Sequence, residues 1–329
     1  MKLGPIEDLD AWAEEAKEKI DGRTLVASVS GGKDSTAMAL LFRAAKIPFI
    51  AVNMDTGWEH ADTDHYVREI LPKYIGPIKT ITAEIEPKPE AAEDIARLEK
   101  KVGRESAMLR LVLNRGYFPS RKARFCTQEI KMDVMRKWLD ELDSEPINAT
   151  GVRASESAKR SKYPEWERWE AADCDQWRPL IRWSDQDVVN IHKEFQVPPN
   201  PLYLRGAHRV GCWPCIYARK SEIRNIAETD PDRIDLMEEL EQIVTLKVRE
   251  KVIARGEVVK TAHSGWFWNG SAGKHSDGRR RGEAWKIRDV VEWSKTSYGG
   301  KQYELFAPPD QEFGCMRWGV CDTGAQDKE

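Results

Sequence analysis

Over the first 155 residues, compact apolar runs alternate with stretches whose apolar positions recur at helical spacing. Residues 23–30, 47–57, 78–85 and 147–152 ("RTLVASVS", "IPFIAVNMDTG", "IKTITAEI", "INATGV") are short, apolar and bounded by polar residues, the pattern of strands buried on both faces. Residues 8–20, 35–46, 62–74, 89–103 and 129–142 carry the three-to-four spacing of amphipathic helices between them. This alternation predicts an α/β fold with a Rossmann-like, mostly parallel sheet and helices on both faces. Ligands in such folds sit at the carboxyl ends of strands, so the turns after Ser28, Met54 and Val152 are expected to converge. Beyond about residue 155 the pattern changes. Trp166, Trp169, Trp177 and Trp183 stand among charges, residues 184–195 form a helix with Ser184 placed to cap it, and a long helical stretch runs from about 219 to 255. From 261 the chain is rich in Gly, Ser, Trp and basic residues, and mostly loops are expected. The expected division is an α/β domain over 1–205 and a smaller helical and loop region, with the Cys-x-x-Cys, over 206–329.

Composition narrows the function classes. The 329 residues are 40% hydrophobic, enough for a sizeable core, and 33% charged with a formal net charge of -3. A balanced surface exerts no global pull on nucleic acid or membrane, so any such contact rests on local patches. No run approaches the 18 apolar residues of a membrane span, and the acidic start "MKLGPIEDLDAW" lacks a cationic leader. The expectation is a cytoplasmic protein with no membrane partner. Six irregularly spaced cysteines then favour reduced thiols in metal binding or catalysis over a disulfide framework.

The sharpest chemical signal is "SVSGGKDSTA" at 29–38, a glycine turn between an apolar run and a helix. Such a turn aims backbone N–H groups and the positive end of a helix dipole at one point, which suits a phosphate. The triphosphatase P-loop would need Gly at 27 and Ser or Thr at 34; the chain has Ala27 and Asp34. Farther on, Arg153 and Arg160, with Glu156 and Ser157 between them, follow the strand "INATGV", and two arginines there suit bidentate binding of phosphate or sulfate.

Four segments now carry a family resemblance. "SGGKDS" at 30–35 resembles the PP-loop of the adenine nucleotide alpha-hydrolase-like (HUP) ATP pyrophosphatases. "VNMDTGWEHADTDHYVREI" resembles the second-strand segment of the phosphoadenosine phosphosulfate (PAPS) reductase branch, "GVRASESAKR" its G-x-R-x-x-E-S element, and "CTQEIK" its Cys-x-x-x-x-Lys segment. The resemblance implies an enzyme that binds ATP and Mg²⁺ through Ser28, Ser30, Gly31, Gly32, Lys33, Asp34, Ser35, Asp55, Thr56 and Gly151, and breaks the bond between the α and β phosphates. Lys33, Asp34, Arg153 and Arg160 are the implied catalytic set, with Arg153, Glu156, Ser157 and Arg160 facing the substrate anion. Reductases of ready-made sulfonucleotides generally lack the Lys-Asp pair, so its presence points toward ATP-using members such as the DNA phosphorothioation ATPases. Lys33 and Mg²⁺ would neutralise the departing pyrophosphate, with Asp34 or Asp55 holding the metal. A sulfonucleotide (PAPS or adenosine phosphosulfate) reductase is the alternative enzyme, and a nucleotide-sensing or partner-binding module without turnover the alternative outside enzymes.

"GCWPC" at 211–215 is a Cys-x-x-Cys in a Gly-Pro turn, shaped to aim two sulfurs at one centre. The resemblance implies a [4Fe-4S] cluster on Cys212 and Cys215, with Cys315 and Cys321 completing it and Cys126 as the alternative ligand; structural Zn²⁺ is the competing metal. Phe125 stands where the reductase branch has the first Cys of a pair, and the tail "EFGCMRWGVCD" lacks that branch's nucleophilic E-C-G-L-H pattern. "RGYFPSRKARFC" at 115–126 interleaves Arg115, Arg121, Lys122 and Arg124 with aromatics, and "GKHSDGRRRGEAWKIR" at 273–288 adds a basic run, so nucleic acid (DNA or tRNA) joins a nucleotide and a sulfur-donor protein among the expected partners.

Overall fold

The computed structural model describes residues 2–142, 145–258, 263–274 and 280–296; Cys315 and Cys321 lie outside them. Helix α1 (Leu9–Ile20) is capped by Asp8, whose carboxylate accepts from the Asp10 and Ala11 N–H groups. It leads into β1 (Leu25–Ser28), then α2 (Lys33–Ala44) and β2 (Ile50–Asp55). Short helices α3 (Ala61–His65) and α4 (Pro72–Ile75) precede β3 (Ile78–Thr82). Helices α5 (Ala92–Val102), α6 (Ala107–Arg115), α7 (Phe125–Thr127) and α8 (Asp133–Asp140) then return the chain to β4 (Ile147–Thr150). Strands β5 (Trp166–Trp169) and β6 (Cys174–Trp177) close the sheet, in the order β3-β2-β1-β4-β6-β5. All neighbours are parallel except β5, which runs antiparallel to β6 at the edge.

Successive residues of β1 point to opposite faces, and both faces are covered. Leu25 and Ala27 enter a core with α1, α2 and α9 (Asp185–Glu194). Val26 enters another with Met135 and Leu139 of α8 and Cys174 of β6. Cys174 has 0% exposure, and burial pushes its thiol up to about 11, so it serves as a small core residue. A third core lies away from the sheet and draws Ile95, Leu98, Leu109 and Val112 together with Ile223, Leu240 and Val244. The latter come from α11 (Lys220–Thr229) and α12 (Pro231–Ala254), which follow the short α10 (Pro201–Leu204).

Four regions depart from the sequence expectation. The single helix expected at 219–255 is two, because Pro231 has no N–H to continue the ladder and instead starts a new helix at its first position. The tail expected as loops contains an antiparallel hairpin, β7 (Phe267–Lys274) with β8 (Arg280–Trp285), and α13 (Ile287–Ser294). Glu241 of α12 fixes both to the core: its buried carboxylate accepts from the Trp266 N–H at 3.1 Å and the Ile287 N–H at 2.8 Å. Helix α6 and strands β5 and β6 had no counterpart in the hydrophobic pattern. Among the described residues no helix is long and apolar enough to cross a membrane.

Candidate nucleotide site and cysteine turn

Strand β1 occupies the middle of the sheet, with β2 on one side and β4 on the other, so the turn after Ser28 opens at the point where the strand order reverses. The turn is built by its own side chains. Gly31 adopts φ +72°, a conformation that favours glycine, and a β-carbon there would meet Val67 at 2.7 Å. Ser35 Oγ donates to the Gly32 carbonyl at 3.0 Å and accepts from the Ser30 N–H at 3.1 Å, which ties the turn to the first turn of α2. Ser28 donates to Asn148 of β4 at 3.0 Å. Gly151, at the exit of β4, lies so close to α2 that an added β-carbon would stand 2.6 Å from the Asp34 carbonyl oxygen and 2.8 Å from the Ser35 nitrogen.

At the mouth of this turn four charged side chains form one group. Lys33 Nζ lies 3.2 Å from Asp34 and 2.6 Å from Asp185; Arg153 donates through Nε to Asp34 at 2.5 Å and through NH2 to Asp185 at 2.6 Å. Lys33 and Arg153 are almost fully buried, with side chains 7% and 5% exposed. Burying a cation costs several kcal/mol unless it is paired, so the two carboxylates are what make this pair of buried cations tenable. The group sums to zero charge.

Several residues that the sequence reading did not single out hold this group in place. Tyr203, buried and with its hydroxyl pKa pushed up by that burial, accepts the Lys33 N–H at 3.0 Å. His192 Nε2 stands 2.9 Å from the Lys33 carbonyl and donates to it as the neutral ring; burial pushes its pKa down to about 4. Asn200 donates to the Gly31 carbonyl at 3.3 Å. Asp185 begins α9 behind Ser184, whose hydroxyl accepts from Asp187 N–H as the sequence predicts for a cap. The only signal for Asp185 was its place in that first turn.

The other predicted residues are distributed differently. Asp55 accepts from the Gly57 N–H at 2.8 Å and is paired with Arg68 at 2.9 Å and with Arg104, so its charge is spent on the β2 exit turn. Thr56 Oγ1 donates to Glu59 at 2.7 Å within the same turn. Glu156 accepts the Arg153 N–H at 2.9 Å and pairs with Arg160, whose N–H donates to Ser157 Oγ at 3.2 Å. Arg153 therefore joins the Lys33 group, while Arg160, 39% exposed, pairs with Glu156 beside it.

The cysteine turn docks on the exit of β2. Cys212 bridges Glu59 in antiparallel fashion, the Trp213 N–H donates to the Trp58 carbonyl at 3.0 Å, and Trp58 Nε1 donates to the Pro214 carbonyl at 3.2 Å. Trp58 is fully buried, stacked on Trp266 at 5.3 Å. Burial pushes the Cys212 thiol up to about 11, opposed by the neighbouring Lys131. Lys131 is held above its usual range, chiefly by Cys212, with which it hydrogen-bonds, and also by Glu59 and Cys215. Cys126, its thiol raised by burial, also feels Cys215 and Lys131. Three sulfurs thus share one electrostatic neighbourhood with a half-buried ammonium. Among the described residues, however, no group of three or more His, Cys, Asp or Glu is placed to hold a metal ion.

Residues 24–218 match the family described as the phosphoadenosine phosphosulfate reductase domain. Similar proteins include an uncharacterized 37.8 kDa protein in the gpa 5′ region of Escherichia phage 186, 34% identical over 90% of this chain and 96% of its own length. An adenosine 5′-phosphosulfate reductase of Burkholderia cepacia is 26% identical over 65% of this chain and 77% of its own. Among solved structures, a phosphoadenylyl-sulfate reductase from Candida auris in complex with phosphate is 18% identical, covers 61% of this chain and 87% of its own, and superposes with a TM-score of 0.45.

Proposed function

Because this chain belongs to the phosphoadenosine phosphosulfate reductase domain family, we propose that it is an ATP pyrophosphatase that adenylates an acceptor in sulfur transfer, the acceptor being a nucleic acid. The observation that carries the reading is the buried Lys33–Arg153 pair, balanced by Asp34 and Asp185, at the N-terminus of α2. A substrate that is only a sulfonucleotide does not need a Lys-Asp pair at the turn, whereas a departing pyrophosphate develops charge that two buried cations stabilise in a site of low dielectric. ATP binds with its β and γ phosphates on the turn, and Lys33 and Arg153 exchange their carboxylate partners for phosphate oxygens. Asp34 and Asp185, freed from the cations, are the residues to hold Mg²⁺; Asp55, already neutralised by two arginines, is the weaker choice. An oxygen of the acceptor attacks the α-phosphorus, its bond to the bridging oxygen of the β phosphate breaks, and pyrophosphate leaves. A sulfur nucleophile then displaces AMP from the adenylated acceptor.

The sulfur donors Cys212, Cys215 and Cys126 suit a thiophilic centre in kind, and Lys131 would offset its negative charge. Cys212 and Cys215 would hold a [4Fe-4S] cluster, with Cys315 and Cys321 completing it and Cys126 as the alternative fourth ligand. When bound, such a cluster supplies electron transfer or a thiophilic anchor for sulfur. Anaerobically purified protein is expected to be brown and to contain iron, and Cys212→Ser to lose both; colourless protein with stoichiometric zinc would replace the cluster with a structural metal.

The alternative is a sulfonucleotide reductase, favoured by the similarity to the Burkholderia cepacia enzyme. Pyrophosphate release from Mg·ATP, offered with mixed acceptors under anaerobic conditions, separates the two. It is expected from the wild type and lost by at least a hundredfold in Lys33→Ala. Sulfite release from a sulfonucleotide without pyrophosphate from ATP would establish the reductase, and saturable nucleotide binding with neither product a binding module.

A further inference from the structure

Tyr217 lies two residues beyond Cys215, and the guanidinium carbons of Arg121 and Arg124 sit 5.6 and 5.5 Å from the centre of its ring. The two arginines belong to the loop 116–124 between α6 and α7, so this contact fastens the loop to the cysteine turn. In the same loop Tyr117 is 44% exposed, packs edge-on against Phe125 at 5.3 Å, and its hydroxyl accepts from Arg115 at 2.7 Å. Arg121, Lys122 and Arg124 are all exposed, and among the described residues none of the three is paired with a carboxylate. Arg209, also exposed, lines the small cleft beside Cys212 and Cys215. A chain of net charge -3 thus gathers unneutralised cations and accessible rings around its cysteines.

We propose that this surface binds a single-stranded nucleic acid and leads one unpaired nucleotide to the cysteine turn; the proposal rests on the nucleic-acid acceptor of the preceding subsection. The cations meet the phosphate backbone, and the Tyr117 ring and the arginine planes on Tyr217 offer faces on which bases stack. A duplex hides its base faces, and the loop presents neither a helix nor a ribbon to enter a groove, so the unpaired strand is the form that uses both features. An acidic protein segment would satisfy the arginines but leave the rings without partners.

The test is fluorescence anisotropy with the full-length protein and labelled single-stranded RNA, single-stranded DNA and their duplexes, roughly twenty nucleotides long, with polyglutamate as the acidic control. Single strands are expected to bind with a logarithmic salt slope of about -2 to -3, from three or four cations at about 0.7 each. Arg121→Glu with Arg124→Glu is expected to lower affinity at least tenfold and to flatten the slope by about 1.4. Tyr217→Ala is expected to lower affinity about tenfold with the slope unchanged, a split that mere loss of folding would not give. Preference for RNA or for DNA identifies the source of the strand. Equal binding of duplex or polyglutamate, or unchanged affinity in both variants, would overturn the proposal. Mg·ATP titration of the same preparations separates failures: nucleotide binding without strand binding removes this surface alone, and strand binding without nucleotide binding removes the ATP reading.

Discussion

Gly151 and His192 show how closely single residues constrain the phosphate turn. The β4 exit passes within van der Waals distance of the α2 backbone, and a methyl group at 151 would stand 2.6 Å from Asp34 O. Gly151→Ala must therefore displace the helix start that carries Lys33, and Mg·ATP affinity by calorimetry is expected to fall at least tenfold. Undiminished affinity would detach Gly151 from the site. His192 has a folded pKa of about 4 against 6.5 for the free side chain, because burial penalises the charged ring beside Lys33. Between those values the unfolded chain binds a proton that the folded chain does not, so this stability is complete above 6.5 and drains as pH falls, by about 2 kcal/mol at pH 5. Glu241, raised to about 7 by burial, titrates in the opposite sense, so wild type must be compared with His192→Gln, which keeps an N–H donor. The gap in urea unfolding free energy between the two is expected to shrink from neutral pH to about pH 5; a constant gap would contradict the assignment.

At the scale of elements, much was legible where burial imposes a period. Strands β1 to β4 are fully or half buried, and α1, α5 and α8 each bury one stripe, so their apolar spacing reported them, whereas α2, with nine of its twelve residues buried, was legible from the glycine turn that precedes it. Strands β5 and β6 escaped because "WERW" and "CDQW" place polar residues between their apolar ends, in the short outermost pair of the sheet, held by backbone pairing rather than by a continuous apolar run. Helix α6 escaped for the reverse reason: six of its nine residues are buried, which blurs the amphipathic stripe. The turn itself was readable because its chemistry is local in sequence, "SGGKDS". Asp185, Tyr203, His192 and Asn200 were not, because they reach the turn from positions more than 150 residues away through the packing of α9 and α10. The hairpin and α13 depend on Glu241. Glu241→Ala leaves the Trp266 and Ile287 N–H groups buried without an acceptor, and a loss of about 2–4 kcal/mol in unfolding free energy is expected; a loss under about 0.5 kcal/mol, the range of a surface change, would show that the carboxylate does not hold the tail.

For the whole molecule, the strand reversal beside β1 sets a phosphate-shaped turn, while the core that joins α5 and α6 to α11 and α12 brings the cysteine turn onto the exit of β2. In the proposed function the turn after β1 activates the acceptor, and the cysteine turn docked on the exit of β2 supplies the sulfur. The most direct measurement is the identity of the products from Mg·ATP in anaerobic reactions with single-stranded RNA or DNA and a sulfide source. AMP and pyrophosphate are expected in equal amounts, and at least a hundredfold less of both from Lys33→Ala. ADP and orthophosphate as the products, or sulfite from a sulfonucleotide with no pyrophosphate from ATP, would contradict it.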